Sequence, residues 1–437
     1  MPSKISKLFV YCVGNPSFDP EKAVADHDTH EAAVKLLNEK NDFEGAIRLW
    51  FGLPEAGKDD YVYHAVASVT LPQVQRAVAM GRENGLHGWY DGQNKTEGDA
   101  SRPPPLPSTS DIQSYTSLFS PSSSSSPTSS LKSFVSNAKK DSIRALVSSN
   151  LLSKRCLHPS FSGLLQIPKV KNLATIPLNP YLDFWVWSCS NLEWCGPVGE
   201  QGLKSHHVLP VLMHHFGCVV PSHEALGIIK KLAEGAGRGT TGKEDGNGVV
   251  DGSPGNGTAA GKKPKSKKAK REKPPPPMKV LDVGSGNGYW SFMLRQYGLE
   301  TIAVDNMQSE WRVNWVPDTN LTTGTSYLKS SLPASQHKNH ILLLVYPITG
   351  SDGTGSFTRE LMDVYKGDVV VVAGTQNGNG YTSFGKGKGT MDEYMMGKKQ
   401  GSEWEKIAQV PLPSFAGRDE GLSVYVRRDK TGRDGEK

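Results

Sequence analysis

The sequence predicts an α/β fold, and three observations carry that expectation. The stretch Met278-Lys-Val-Leu-Asp-Val-Gly-Ser-Gly-Asn-Gly288 reads as a buried strand running into a glycine-rich turn. Downstream of it, short apolar runs alternate with amphipathic segments, the pattern of strands and covering helices in a parallel sheet. The last two runs, Glu405 to Val410 and Leu422 to Arg427, are joined by a Pro/Gly-rich connection, so they read as a final strand pair in place of one more strand–helix unit.

Taken in order, residues 1–98 read as a small, mostly helical region. Ser6 to Val13 suits a strand. Glu31 to Asn38 and Phe43 to Phe51 are amphipathic at helical spacing. Leu71 to Glu83 carries Pro72 in its first turn, where a missing N–H costs nothing. The helix pair near Ala32 and Ala46 has no second copy at a fixed period, which makes it a plain helical lobe rather than a repeat. Residues 99–135 are dominated by Ser and Pro, including Pro103 to Pro105 and Ser122 to Ser126. So polar a segment is expected to be a disordered linker, because its apolar surface cannot offset its ordering entropy.

Residues 136–233 return to globular composition and are predicted to form a helical region packed on the core. Pro180 to Trp187 is dense in aromatics, and Val208 to Phe216 reads as a helix. In Ser222 to Leu232 the serine can cap, Glu224 suits the first turn, and Ala225, Ile228, Ile229 and Leu232 share a face. Residues 234–277 are Gly-, Lys- and Pro-rich and read as a disordered insertion, tolerable because loop-closure cost grows slowly with length. The core then runs over 278–429. Its predicted elements are a helix Tyr289 to Tyr297 ended by Gly298, a strand Thr301 to Val304 and a weak strand near Ser326 to Leu328. After these come a strand Ile341 to Val345 stopped by Pro347, a helix Phe357 to Tyr365, a strand Asp368 to Ala373 and a helix Met391 to Lys399. Residues 430–437 read as a disordered tail.

Composition narrows the function. Of 437 residues, 36% are hydrophobic, so long polar stretches dilute an ordinary core. The longest apolar run, Ile341 to Val345, is far short of a membrane span, and the N-terminus lacks a signal-peptide pattern. No membrane partner is expected. Five cysteines give no disulfide framework, which points to the cytoplasm or nucleus. Net charge is +6, but residues 262–273 alone hold eight Lys/Arg against one Glu, so the rest of the chain sums to −1. Nucleic acid is therefore expected to meet only that run, which reads equally as a nuclear-localisation segment or a solvated loop.

The glycine spacing identifies the ligand class. A second apolar run ends on Asp305, 17 residues after Gly288. A strand, a flexible turn, a helix and a strand closing on an acid make half of a nucleotide-binding unit. In a dinucleotide fingerprint the last small residue lets the helix pack closely on the strand; Tyr289 takes that place here. The form Asp282-x-Gly284-x-Gly286-x-Gly288 resembles motif I of the class I S-adenosylmethionine-dependent methyltransferases, a resemblance that covers about residues 278–429. It implies a seven-stranded Rossmann-like sheet with a terminal antiparallel hairpin, and S-adenosyl-L-methionine as cofactor. It also implies that Asp282 and the three glycines cradle the methionine part, that Asp305 binds the ribose hydroxyls, and that Asn306 lines the adenine pocket or serves the turn. The usual acid after strand three has no clear equivalent. Where amino-group methyltransferases carry an N/D-P-P-Y/F motif, this chain has Tyr346-Pro347 without the leading Asn or Asp. Those two residues are the acceptor-loop candidates, and a strand-terminating proline is the plain alternative.

Asn179-Pro-Tyr181 looks like such a motif but lies upstream of the glycine turn, so a helix-start role is preferred. His206, His207, His214 and His215 are too loosely placed on one helix face for a metal site, and Cys189 and Cys195 are not a C-x₂-C pair. The leading expectation is a methyltransferase whose acceptor, protein or small molecule, the sequence does not name. A catalytically degenerate cofactor-binding or scaffold protein is the alternative, and a nucleotide-dependent oxidoreductase is a third reading that Tyr289 disfavours.

Overall fold

The computed structural model describes residues 15, 17–64, 68–80, 108–192, 207–235, 276–347, 354–376, 384, 389–397, 400, 403–415 and 418–428. The predicted Ser6 to Val13 strand, the 262–273 basic run, most of the 234–277 insertion and the 430–437 tail lie outside the described residues.

In chain order the strands are β1 (Val62–His64), β2 (Ser68–Thr70), β3 (Cys156–Leu157), β4 (Lys279–Val283), β5 (Thr301–Asp305), β6 (Asn320–Leu321), β7 (His340–Val345), β8 (Val369–Thr375), β9 (Trp404–Pro411) and β10 (Glu420–Arg427). β1 and β2 form a separate antiparallel pair. The other eight make one sheet in the order β3-β9-β10-β8-β7-β4-β5-β6. The neighbours from β8 to β6 are parallel. β10 runs antiparallel to both β8 and β9, giving the expected closing hairpin.

The expected count of seven strands is exceeded because Cys156 and Leu157 pair antiparallel with Gln409 and Ala408. A two-residue strand is too short to show an alternating pattern. The weak strand expected near Ser326 to Leu328 is helical instead. Thr323 caps it, its hydroxyl accepting from Ser326 N at 3.2 Å, and the sheet residues lie earlier, at Asn320 and Leu321.

The linker expected over 99–135 also departs from its composition. From residue 108 it holds two helices, Thr109–Thr116 and Pro127–Ser136, capped by the side chains of Ser108 and Ser126. The few apolar residues there, Ile112, Tyr115, Leu131 and Phe134, are all buried, and Tyr115 and Phe119 pack against Trp185. Ser108 and Ser126 cap these helices, and the sparse apolar positions still reach a core. Residues 99–107 are outside the described set.

Two of the expected helices outside 278–429 show their caps. Ser222 caps the helix His223–Gly235 by accepting from Ala225 N at 3.2 Å. Asp42 caps the helix Phe43–Phe51, which ends on left-handed Gly52.

Both faces of the parallel strands are buried, which is why they read as continuous apolar runs. One face packs on an apolar cluster that begins at Ala33, continues through Trp185 and Ile229, and includes Val280, Leu343 and Val424. The other face buries Leu281, Val283, Leu342 and Val370 with Leu361 and Met395. The N-terminal helices, the 108–235 helices and the sheet therefore share a core. Among the described residues no helix is long and apolar enough to cross a membrane.

Candidate functional site

β4 ends at Val283 and the chain turns. Gly284 N and Ser285 N both donate to Val304 O, at 2.8 and 3.2 Å, which ties the turn to the end of β5. Gly286 and Gly288 have φ of +58° and +82°, a region that residues with a Cβ rarely adopt. A Cβ on Gly286 would stand 2.9 Å from the Trp311 ring, and one on Gly288 would stand 2.3 Å from Val316 Cγ2. The glycines are thus required by conformation and by contact. Gly288 opens the helix Tyr289–Gln296.

Asp305 is the last residue of β5. Its Oδ2 accepts from Gly286 N at 2.8 Å and its Oδ1 from Met307 N at 2.6 Å. Burial raises its pKa, and the two amide bonds oppose that rise. A carboxylate offers about four lone-pair sites, so each oxygen keeps one for a further donor.

Asp282 is placed differently from its glycines. It is fully buried, its Oδ2 accepts from Ser291 Oγ at 2.7 Å, and its Oδ1 has no partner. Burial pushes its pKa up to about 7. It braces the turn against the following helix from beneath, and it is not among the residues lining the cavity above.

That cavity, of about 300 Å³, lies at the carboxyl ends of β4, β5, β6 and β7. Val283–Asn287, Val304–Asn306, Thr322–Thr325 and Val345–Pro347 line it, with Trp311 and Phe216–Cys218. β4 is followed in sequence by β5 on one side, while β7 lies on its other side, so the strand order reverses at this point. Open α/β sheets bind ligands in the crevice at such a switch point.

Tyr346 and Pro347 stand at the end of β7 and also line the cavity. Tyr346 has φ +51° and donates its N–H to Ala373 O at 2.7 Å. The Arg418 guanidinium carbon lies 5.0 Å from its ring centre. Arg418 Nη1 donates to Cys218 O at 3.1 Å and lies 3.5 Å from Glu420 Oε1. Burial pushes the Glu420 carboxyl up to about 7 against the pull of Arg418.

The structure therefore gathers Gly284, Gly286, Asp305, Asn306, Tyr346 and Pro347 around one cavity; Gly288, set against Val316, shapes the turn without lining the cavity, and Asp282 lies below it. No family model matches the chain, and no curated protein is similar to it in sequence. The function must be argued from the site itself.

Sequence reasoning missed Trp311 and Arg418. Trp311 lies in the unpatterned 306–338 stretch, and Arg418 is a lone cation in the connection between β9 and β10. Neither position carries a local signal. The other candidates pack. His214 Nδ1 meets Tyr61 Oη at 2.9 Å, His215 Nε2 meets Tyr63 Oη at 3.1 Å, and burial lowers the pKa of both imidazoles. No group of metal-ligating side chains occurs among the described residues. Cys189 is a buried free thiol, and His206 and Cys195 are outside the described set. Asn179 caps the helix Pro180–Asn191, accepting from Leu182 N at 3.3 Å and from Tyr289 Oη at 2.7 Å. Tyr289, where a dinucleotide fold needs a small residue, thus fills space between the turn's helix and that one.

Proposed function

We propose that the chain is an S-adenosyl-L-methionine-dependent methyltransferase, with β4 to β10 as its Rossmann-like methyltransferase sheet and β3 as an added edge. The observation that carries this reading is Asp305. An acid at the end of β5 is hydrogen-bonded to the middle glycine of the turn at the end of β4, beside a cavity at the sheet's switch point. The residues fit the cofactor. Left-handed glycines let the backbone approach a ligand closely, and the free lone pairs of Asp305 suit a ribose diol. A cavity of about 300 Å³ is at the lower end of small-ligand sites.

Gly284, Gly286 and Asp305 would hold the cofactor, with Gly288 shaping the turn, and Asn306 and Thr322–Thr325 would flank its nucleoside. When bound, it supplies a methyl group already activated on a sulfonium for in-line displacement. The chain's own part is to align the acceptor and exclude water, for which Trp311, Tyr346 and Phe216 supply apolar walls. Beside the tyrosines, the ionisable side chains lining the cavity are Asp305, Cys218 and Glu360, and Glu360 is exposed. The Cys218 thiol is pushed up to about 11 by burial, and Asp305 is engaged by two amides. That set suits an acceptor with a free lone pair, such as an amine. In this reading the chain works in the cytosol or nucleus, where Cys156, Cys189 and Cys218 stay reduced.

Isothermal titration of S-adenosylhomocysteine into the wild-type protein and Asp305→Ala tests the reading. Saturable wild-type binding, weakened at least about tenfold in the variant, is expected. An unresponsive wild type, or a variant with unchanged affinity, would refute it. The end of β7, where Tyr346 has no Asn or Asp before it, favours one second reading: a protein that binds the cofactor and transfers nothing. Labelling of fractionated cell extract with radioactive cofactor separates the two.

A further inference from the structure

We infer that Arg418 is a positioning residue for the amino-acid half of the cofactor: its guanidinium fixes the Tyr346 ring and the Cys218 carbonyl as two walls of the cavity's β7 end. The inference rests on the methyltransferase reading and adds what that reading lacks, a device that shapes the end of the cavity away from Asp305.

The sheet order sets the direction. β5 and β7 flank β4 on opposite sides. Asp305 is at the end of β5, and Tyr346 with Pro347 is at the end of β7. A ligand whose sugar hydroxyls meet Asp305 therefore extends across the glycine turn toward Tyr346, Pro347 and Cys218, all of which line the same cavity.

Two of these three are held by Arg418. The guanidinium lies under the Tyr346 ring at 5.0 Å, and its Nη1 donates to Cys218 O at 3.1 Å. Tyr346 needs such support, since φ of +51° is a conformation that a tyrosine keeps only where its surroundings enforce it. The N–H of Tyr346 bonded to Ala373 fixes its backbone, and the cation fixes its ring. The segment bearing Cys218 is anchored a second time, by Tyr181 Oη donating to Gly217 O at 3.0 Å. Arg418 is 8% exposed and Glu420, at 3.5 Å, is 2% exposed, so the guanidinium is a buried, charge-paired fixture. A lysine offers a point charge in place of a planar stack and cannot hold both walls at once.

The test compares two ligands that share a nucleoside, S-adenosylhomocysteine and 5′-methylthioadenosine, which lacks the amino-acid part. Titration calorimetry is run on the full chain as wild type, Arg418→Lys and Arg418→Met, with thermal unfolding of each. Because Arg418→Met strands the Glu420 carboxylate, Arg418→Met/Glu420→Gln repeats the measurement without a buried unpaired charge. The expected result is a tenfold or greater loss for S-adenosylhomocysteine in all three, with 5′-methylthioadenosine within about twofold of wild type. Unchanged S-adenosylhomocysteine affinity, or equal loss of both ligands, overturns the role of Arg418 and leaves the cofactor reading standing. A wild type that binds neither ligand overturns both.

Discussion

Asp282 shows how a motif residue can be legible while its role is not. Period-two alternation already places it on the face opposite Leu281 and Val283, and the structure puts it beneath the turn against Ser291. Its carboxyl belongs to the fold, and its titration makes a prediction. Burial raises its folded pKa to about 7 from the ordinary 3.8, so between those values the native state holds a proton that the unfolded chain releases. Stability from this group is therefore full below about pH 4 and is lost as pH rises toward 7, the reverse of a salt-bridged carboxylate. Asp282→Asn should remove that loss while its amide oxygen still accepts from Ser291. The variant is expected to match or trail wild type near pH 5 and to gain stability on it by pH 8, by up to about 3 kcal/mol. Thermal unfolding across that range measures it, and a difference independent of pH would show that Asp282 is ionised in the native state. The glycines and Asp305 were readable because their requirement is local: a left-handed backbone admits few residues besides glycine, and β5 ends where its apolar run ends. Trp311 and Arg418 were not, because each is defined by contacts that join distant segments.

Among the elements, the main strands and helices of the 278–429 stretch were legible to within a few residues, β6 and the helical turn at 324–331 excepted, because strands buried on both faces and helices with an apolar face carry local patterns. The segment 108–136 was not. Its composition matches that of a disordered chain, yet Ser108 and Ser126 cap two helices that bury Ile112, Tyr115, Leu131 and Phe134. Counting serines misses this, since a serine in the N-cap position contributes to a helix while one in its interior does not. If these helices are part of the core, removing one of their anchors must cost what a core truncation costs. Phe134 is 2% exposed and packs near Tyr115, with Arg144 over its ring at 4.6 Å. Phe134→Ala is expected to destabilise the protein by about 3–5 kcal/mol in denaturant unfolding. A loss under about 1 kcal/mol would mean that these helices are peripheral. At the turn, Gly288→Ala combines a strained φ with a clash on Val316, and a loss of about 1–3 kcal/mol is expected by the same measurement.

At the scale of the molecule, the N-terminal region is tied to the cavity by charge as well as by packing. Arg312, 2% exposed, donates through Nη2 to Asp59 Oδ2 at 2.6 Å, and its guanidinium lies 4.2 Å from the Tyr61 ring centre. Its neighbour Trp311 is the ring that rests on Gly286. The backbone N–H of Arg312 donates to His214 O at 3.0 Å, which joins the same loop to the helix Val208–Phe216. The chain before residue 80 thus holds in place the loop that covers the glycine turn. No local pattern in 1–98 announced this, because an aspartate and an arginine 253 positions apart declare themselves a pair only in the fold. Asp59→Ala removes the carboxylate that the buried Arg312 donates to and that Arg48 also faces at 3.4 Å, so destabilisation of about 1.5–3 kcal/mol is expected. Asp59→Ala/Arg312→Met, which removes both charges of that pair and leaves Arg48 to Glu44, should recover much of it. If Asp59→Ala instead unfolds like wild type, the hairpin β1–β2 is an appendage and its contact with the Trp311 loop carries no energy. Because one apolar cluster joins residues from Ala33 to Val424, the described N-terminal helices and the sheet face they cover should lose their structure together. A fragment beginning at residue 278 should then fail to fold, since it exposes the whole sheet face that the earlier helices cover.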